Sequence, residues 1–455
     1  DLSWINYEYL GPLAAHLLRF DGSSPMPEGA VHFYPRGALN FSNQDFHIYM
    51  DYSDMGYRLL GLFRLWNAMN YYFPHLDVLD VEWNDLLLEF IPKMLEGTDR
   101  LSYELTLAAM SHHLHDAHVL LLEATFMTDK FGQYIAPVEL IAAEGRLVVY
   151  EGLGAGNPLA RGDIILGLNG RDIDEITTEM RRSLSYPTEE KALAFLAGRS
   201  AARVFFEGID IPGFLPQVLR SHTSDIEIDI LRGDARMTLN VDGTATRPVF
   251  SPRATQFHVL LDYNIGLINP GVLGDVRATM ESFADTDGII IDLRQRPASN
   301  YFFADMGQYL MEEPLPFAYM SSPLPTHPGV RFDFPMSQYL PQSPYAFIYD
   351  GPVVLLMDEQ TFSHPEWVIM SFRVVPNVTV MGPFSMGSNG DVALLPLPGG
   401  IYMSFTSLGV YTPEGGQTHR IGLAPDIRVD RTIQGIAEGR DELMEEAILY
   451  ITESR

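Results

Sequence analysis

Hydrophobic positions change their period along the chain, and the changes divide it. Leu59, Leu60, Phe63, Leu65, Trp66 and Met69 recur at spacings of three and four from Tyr57 until Pro74, which predicts a helix. Two more helices are predicted near Trp83 to Leu95 and Tyr103 to His115, so residues 51–130 read as a small helical domain. Ahead of it, residues 1–50 are rich in Gly, Pro and aromatics without a sustained period and read as an irregular arm. From about Gln133 the helical period gives way to alternation and Gly-bearing turns, ending in the strand pair DIEIDILRGDARMTLNV. Residues 131–250 are therefore expected to form a β-rich domain. Beyond residue 255, strands at Tyr263 to Ile268, Gly288 to Leu293, Pro352 to Met357 and Val378 to Gly382 alternate with helical stretches such as Asp275 to Ala284. That alternation predicts an α/β sheet with parallel members over 255–455.

In such sheets ligands bind beyond the carboxyl ends of the strands, and Asp292, Arg294 and Ser363 fall at such ends. Ser363 follows the apolar run Val353–Met357 and precedes the amphipathic stretch Glu366 to Val375. A hydroxyl at a strand-to-helix turn has backbone N–H groups and the positive helix end nearby, which favours a developing oxyanion. The plainer reading makes Ser363 or Thr361 a helix cap with Glu366 closing a capping box.

Composition narrows the partners. The 455 residues are 46% hydrophobic and 20% charged, an ordinary globular balance with room for two or three domains. With 59 acidic against 30 basic residues the formal charge is −29, which argues against nucleic acid or anionic lipid as a partner. No cysteine is present, so disulfides, thiolate metal sites and a Cys nucleophile are excluded, and export is expected. No apolar run approaches the roughly 20 residues that span a bilayer. The start at Asp1 is read as a trimmed N-terminus, with a signal peptide or lipid anchor expected upstream.

The third predicted helix runs into MSHHLHDAHVLLLEA, which gathers His112, His113, His115 and His118. HDAH sets two imidazoles three residues apart, but no HExxH-type partner accompanies it, so no metal or cofactor is expected. The helix is expected to end at Asp116, leaving His118 at the start of a strand-like run, where an imidazole can face a cleft.

Taken in order, LHDAH, LARGDIILGLNG, DGIIIDLRQRP, GPVVLLMDEQTFSHPEW, MGPFSMGSNGD and YTPEGGQTHRIGLAPDI resemble peptidase family S41, the C-terminal processing and tricorn-core proteases, in its exported bacterial branch. The resemblance covers nearly the whole chain. It implies a helical domain, a PDZ-like domain framing a peptide groove, and a ClpP/crotonase-like α/β protease domain. It also implies a nucleophile from a T-x-S-x-x-E phrase, matched by Thr361, Ser363 and Glu366. One branch activates that Ser with a Lys where this chain has Ser388, next to Asn389 and Gly387. The tricorn-like branch uses a His after a D-x-H turn, matched by His118.

Imidazole near its ordinary pKa of about 6.5 can take a Ser proton at neutral pH. The resemblance thus implies a serine endopeptidase acting on extended peptides or unfolded proteins, with Ser363 as nucleophile and His118 as base. Backbone N–H groups near Ala298 and His364 would hold the oxyanion, and Gly387 and Asn389 would contact substrate. The branch's third-member Glu aligns with His419, which leaves Glu414 and Glu366 as alternatives. His364 is a second imidazole beside the nucleophile. A homo-oligomer and a catalytically silent peptide- or ligand-binding protein of the same fold both stay open. An unrelated α/β hydrolase is disfavoured because no G-x-S-x-G surrounds Ser363.

Overall fold

The computed structural model describes residues 32–33, 39–41, 43–198, 204–206, 209–211, 218–246, 254–324 and 327–453. Most of the arm expected over residues 1–50 lies outside them.

After the short strands His32–Phe33 and Leu39–Asn40 come three helices, at Met55–Tyr72, Trp83–Glu96 and Arg100–His112. The first is capped by Asp54, whose carboxylate accepts the Gly56 N–H, and it stops ahead of Pro74. The third starts at Arg100, three residues earlier than its period indicates, because Asp99 and Ser102 close a capping box. It ends at His112 rather than Asp116, and His115 takes a left-handed φ of 51° in the turn that follows.

These helices bury Leu62, Leu65, Met69, Tyr103 and Leu107 against a strand pair from the far end of the chain, Val392–Leu397 and Ile401–Thr406. Each such side chain contributes about 1.5–3 kcal/mol of burial. The Leu120–Leu122 strand joins the same sheet antiparallel to Ile401–Thr406, with Ser404 opposite Leu120. That pairing brings the His118 region to residues almost three hundred positions later.

The middle of the chain forms an antiparallel sheet in the order Ala235–Asp242, Asp225–Arg232, Ile164–Leu168, Arg146–Gly152, Val138–Ala143. Its alternation is plain in Ile226, Ile228 and Ile230, which are all buried. The helix Ile173–Arg181 and the segment Ala192–Ala197 cover it, and Met386 from the C-terminal part enters the same core.

The C-terminal sheet runs His258–Leu261, Ile265–Ile268, Gly288–Asp292, Val353–Leu356, Val378–Gly382, Ile427–Arg428, antiparallel in its first pair and parallel thereafter. Its second strand starts at Ile265 because Asp262–Asn264 turns through a left-handed Tyr263 (φ 60°). Both faces are covered, which explains the unbroken apolar runs. Ile289, Ile291, Val353 and Leu355 meet the helices Val276–Phe283 and His364–Phe372, while Ile290, Val354, Leu356 and Met381 meet Glu442–Glu453. All five parallel strands point their carboxyl ends toward the same edge, where the chain turns from Leu356 into the Ser363 helix.

Candidate active site

The turn before Ser363 is locked by its own residues. Thr361 is buried, its hydroxyl accepts the Asp358 N–H at 2.9 Å, and its N–H returns a bond to the Asp358 carbonyl at 3.0 Å. Ser363 then adopts φ 64°, ψ −127°, a conformation that costs a non-Gly residue roughly 1–3 kcal/mol. A strained strand-to-helix turn of this kind lifts a hydroxyl out of the backbone path. His364 opens the helix directly after Ser363, so its N–H has no intrahelical acceptor. Pro365 falls in the first turn, where a missing N–H costs nothing.

Glu366 is fully buried and serves as a clamp. Its carboxylate accepts the Ser363 N–H at 3.2 Å, the Gly387 N–H at 2.8 Å and the Ser385 hydroxyl. Burial raises its pKa, and the Ser385 and Gly387 hydrogen bonds oppose the rise. It is thus a cap for the Ser363 turn, with its carboxylate committed to Ser363, Ser385 and Gly387.

His118 sits 7% exposed at the entrance to the Leu120–Leu122 strand. Its Nδ1 is 2.9 Å from Thr406 Oγ1 and 3.4 Å from Asp116 Oδ1. Asp116 is fully buried and also accepts the His118 N–H at 3.0 Å and the Thr406 N–H at 3.1 Å. Burial works to raise the Asp116 pKa, yet its bonds and charge interactions with His118 and His419 hold it far below the usual carboxylate range. A carboxylate beside Nδ1 favours the tautomer with the proton there, leaving a lone pair on Nε2. Nε2 is buried and has no hydrogen-bond partner among the described residues. The ring lies 5.5 Å, centroid to centroid, from Phe362, the neighbour of Ser363. No hydrogen bond joins His118 to Ser363, and catalytic hydrogen bonds often tighten only once substrate is bound.

Other expected site residues land elsewhere. Glu414 is exposed in the turn closed by Gly415 N–H to Thr412 carbonyl and makes no ion pair with His118. His419, which aligns with the branch's Glu, is buried with its ring stacked on His75 at 4.1 Å and 3°, and burial presses its pKa down to about 4. A neutral ring cannot supply a counter-charge, whereas the Asp116 carboxylate lies beside His118 Nδ1. Ala298 does not offer an oxyanion donor, because its N–H is spent on the Pro270 carbonyl at 2.7 Å. Asn389 is buried, its amide on Met370 Sδ and the Gly390 N–H, so it does not line a substrate surface. Gly387 is a structural pivot at φ 82°, bonded to Glu366 and to the Arg420 N–H. The His364 imidazole is held neutral with a pKa of about 4, by burial first and the Arg296 charge second. Arg294 is a staple, bidentate to Asp292 and bonded to Asp441 at the start of the last helix. His112 and His115 direct Nδ1 to the carbonyls of Leu184 and Tyr186.

Four residues without a functional reading from sequence shape the site: Asp116, Thr406, Ser388 and Lys191. Asp116 carried a signal, since it is the acid of the D-x-H turn. Lys191 carried none. Its ammonium donates to the carbonyls of Met386, Arg420 and Ile421 at 2.9, 3.1 and 2.9 Å, and burial lowers its pKa to about 8. With its donors committed to carbonyls it anchors the loop beneath Ser363.

A sequence model described as peptidase family S41 matches residues 307–429, the stretch that contains Ser363, Glu366 and Ser388. No curated protein sequence matches the chain. Among solved structures, mature CPAF superposes with a TM-score of 0.66 at 13% identity, covering 88% of this chain and 98% of that one. A mature CPAF complex with lactacystin gives 0.64 at 13%, covering 88% and 97%. A putative peptidase from Parabacteroides merdae ATCC 43184 gives 0.51 at 16%, covering 87% and 96%. At these identities the likeness is one of fold.

Proposed function

We propose that this chain, whose residues 307–429 match the peptidase family S41 model, is a serine endopeptidase whose nucleophile, Ser363, is activated by His118. One observation carries the reading: the imidazole is held at Nδ1 by Thr406 and Asp116, its Nε2 is buried and unpartnered among the described residues, and its ring packs 5.5 Å from that of Phe362, the residue before Ser363. In the proposed reaction Ser363 Oγ adds to a peptide carbonyl as its proton passes to His118 Nε2. The oxyanion forms against the His364 N–H, and the expelled amine takes the proton back from His118. Water then repeats the sequence on the acyl-enzyme with His118 again as base. Asp116 steadies the imidazolium at each stage.

The antiparallel sheet with the Ile173–Arg181 helix is proposed as the PDZ-like module that receives an extended peptide, which fits a substrate of unfolded protein.

Fluorophosphonate labelling tests the reading. An adduct on Ser363 is expected in the native chain and none in Ser363→Ala, with His118→Ala slowing labelling and peptide cleavage on the order of 10²–10⁴-fold. A native chain with no adduct and no cleavage would return it to the reading of a silent peptide-binding protein.

A further inference from the structure

The nucleophile and the base come from parts of the chain that share no local structure, so something must fix the distance between them. We propose that Ser388 is a positioning residue whose hydroxyl docks the His118-bearing turn against the Ser363 elbow. This rests on the serine-peptidase reading above.

Ser388 is completely buried and holds both halves. Its Oγ accepts the N–H of Ala117, the residue between Asp116 and His118, at 2.9 Å across 271 positions of sequence. Its own carbonyl accepts the Ser363 N–H at 2.8 Å. One residue therefore ties the backbone of the base turn to the backbone of the nucleophile. The second tie keeps Ser363 in its strained conformation together with the Glu366 carboxylate.

Such a bridge positions its partners only if it is itself immobile, and residues 385–388 are held from several sides. The Met386 N–H reaches the Thr361 carbonyl at 2.8 Å, and the Gly387 N–H reaches Glu366 at 2.8 Å. The Gly387 carbonyl accepts the Arg420 N–H at 2.8 Å, and the Met386 carbonyl takes the Lys191 ammonium at 2.9 Å. The Met386 side chain is fully buried in the core of the middle domain. A short side chain with an acceptor oxygen suits this place, since the Ala117 N–H is buried and would otherwise go unpaired.

Three variants test the proposal. Ser388→Ala removes the acceptor and should lower kcat by about 10- to 100-fold with KM within about threefold, the signature of a misplaced rather than missing catalytic group. Ser388→Thr keeps the acceptor and should recover most of the rate. Ser388→Cys keeps the volume but accepts weakly, so it should behave like Ser388→Ala. It also carries the test should Ser388→Ala fail to fold. Native-like kcat in Ser388→Ala or Ser388→Cys would overturn the proposal. Hydrogen exchange needs no turnover: the peptide spanning 113–119 should exchange about tenfold faster in Ser388→Ala or Ser388→Cys than in the native chain. Unchanged exchange there overturns the docking role even in an active enzyme. A native chain that neither labels nor cleaves defeats the peptidase reading instead, and the exchange measurement still decides the docking.

Discussion

At the scale of single residues, the choice of carboxylate beside His118 governs the chemistry. Glu414 and Glu366 are both near the expected sequence phrases, yet one is exposed in a turn and the other faces residues 385–387. Asp116 touches the ring and is shielded from water, so its charge acts on Nδ1 through little intervening dielectric. Asp116→Asn keeps the shape and one acceptor but loses the charge and can favour the wrong tautomer. Its kcat is expected to fall by about 10²–10⁴-fold, whereas Glu414→Ala should stay within about twofold of the native rate. Steady-state cleavage of an unstructured peptide by both variants sorts the two assignments. Ser363 and His118 were singled out in sequence because their neighbours carry the signal: a T-x-S-x-x-E phrase and a D-x-H turn. Thr406 was not, since a threonine late in a β-strand looks like any other half-buried position.

Elements set the geometry that these residues use. The nucleophile turn leans on the loop from Ser385 to Ser388, whose path depends on Gly387 at φ 82°. A Cβ there would meet the Gly422 backbone nitrogen at 2.6 Å, and the left-handed conformation would be strained as well. Gly387→Ala should therefore cost roughly 1–3 kcal/mol in the urea unfolding midpoint. It should also slow Ser363 labelling, because Gly387 cannot move without loosening the Glu366 clamp. Helix and strand positions were readable from period alone, as in Trp83–Glu96 or Gly288–Asp292. Ends were less so. Asp99 begins its helix early, and His115 turns left-handed, because capping and turn chemistry outweigh apolar spacing at the boundary.

For the whole molecule, the consequence lies in buried imidazoles. Burial lowers the pKa of His75 well below its usual value and presses His364 and His419 to about 4. The unfolded chain takes up these protons near pH 6.5, the folded chain only at lower pH. The sign follows: stability is complete above about pH 6.5 and declines as pH falls toward 4, by up to about 1.4 kcal/mol per pH unit for each histidine. Asp116, with its depressed pKa, adds stability that persists until pH falls below the carboxylate range. Urea midpoints at pH 7 and pH 5 should differ accordingly, and His419→Gln should flatten the dependence. Equal midpoints would show that these rings are solvated in the folded chain.

The sequence by itself determined what depends on near neighbours. Apolar period specified the helices and the buried parallel strands, and the order of short phrases pointed to the S41 resemblance and to Ser363 and His118 as the proposed nucleophile and base. It did not decide which acid faces that imidazole, which N–H remains free for an oxyanion, or what holds the two halves together. Those outcomes rest on pairings across 271 to 290 positions, Ala117 with Ser388, His118 with Thr406 and Asp116 with Thr406. Such contacts arise when a strand from the end of the chain pairs beside the base turn, and a one-residue shift of its register would turn Thr406 to the opposite face. Only the tertiary fold carries that information, because hydrogen bonds between distant segments leave no period in the sequence.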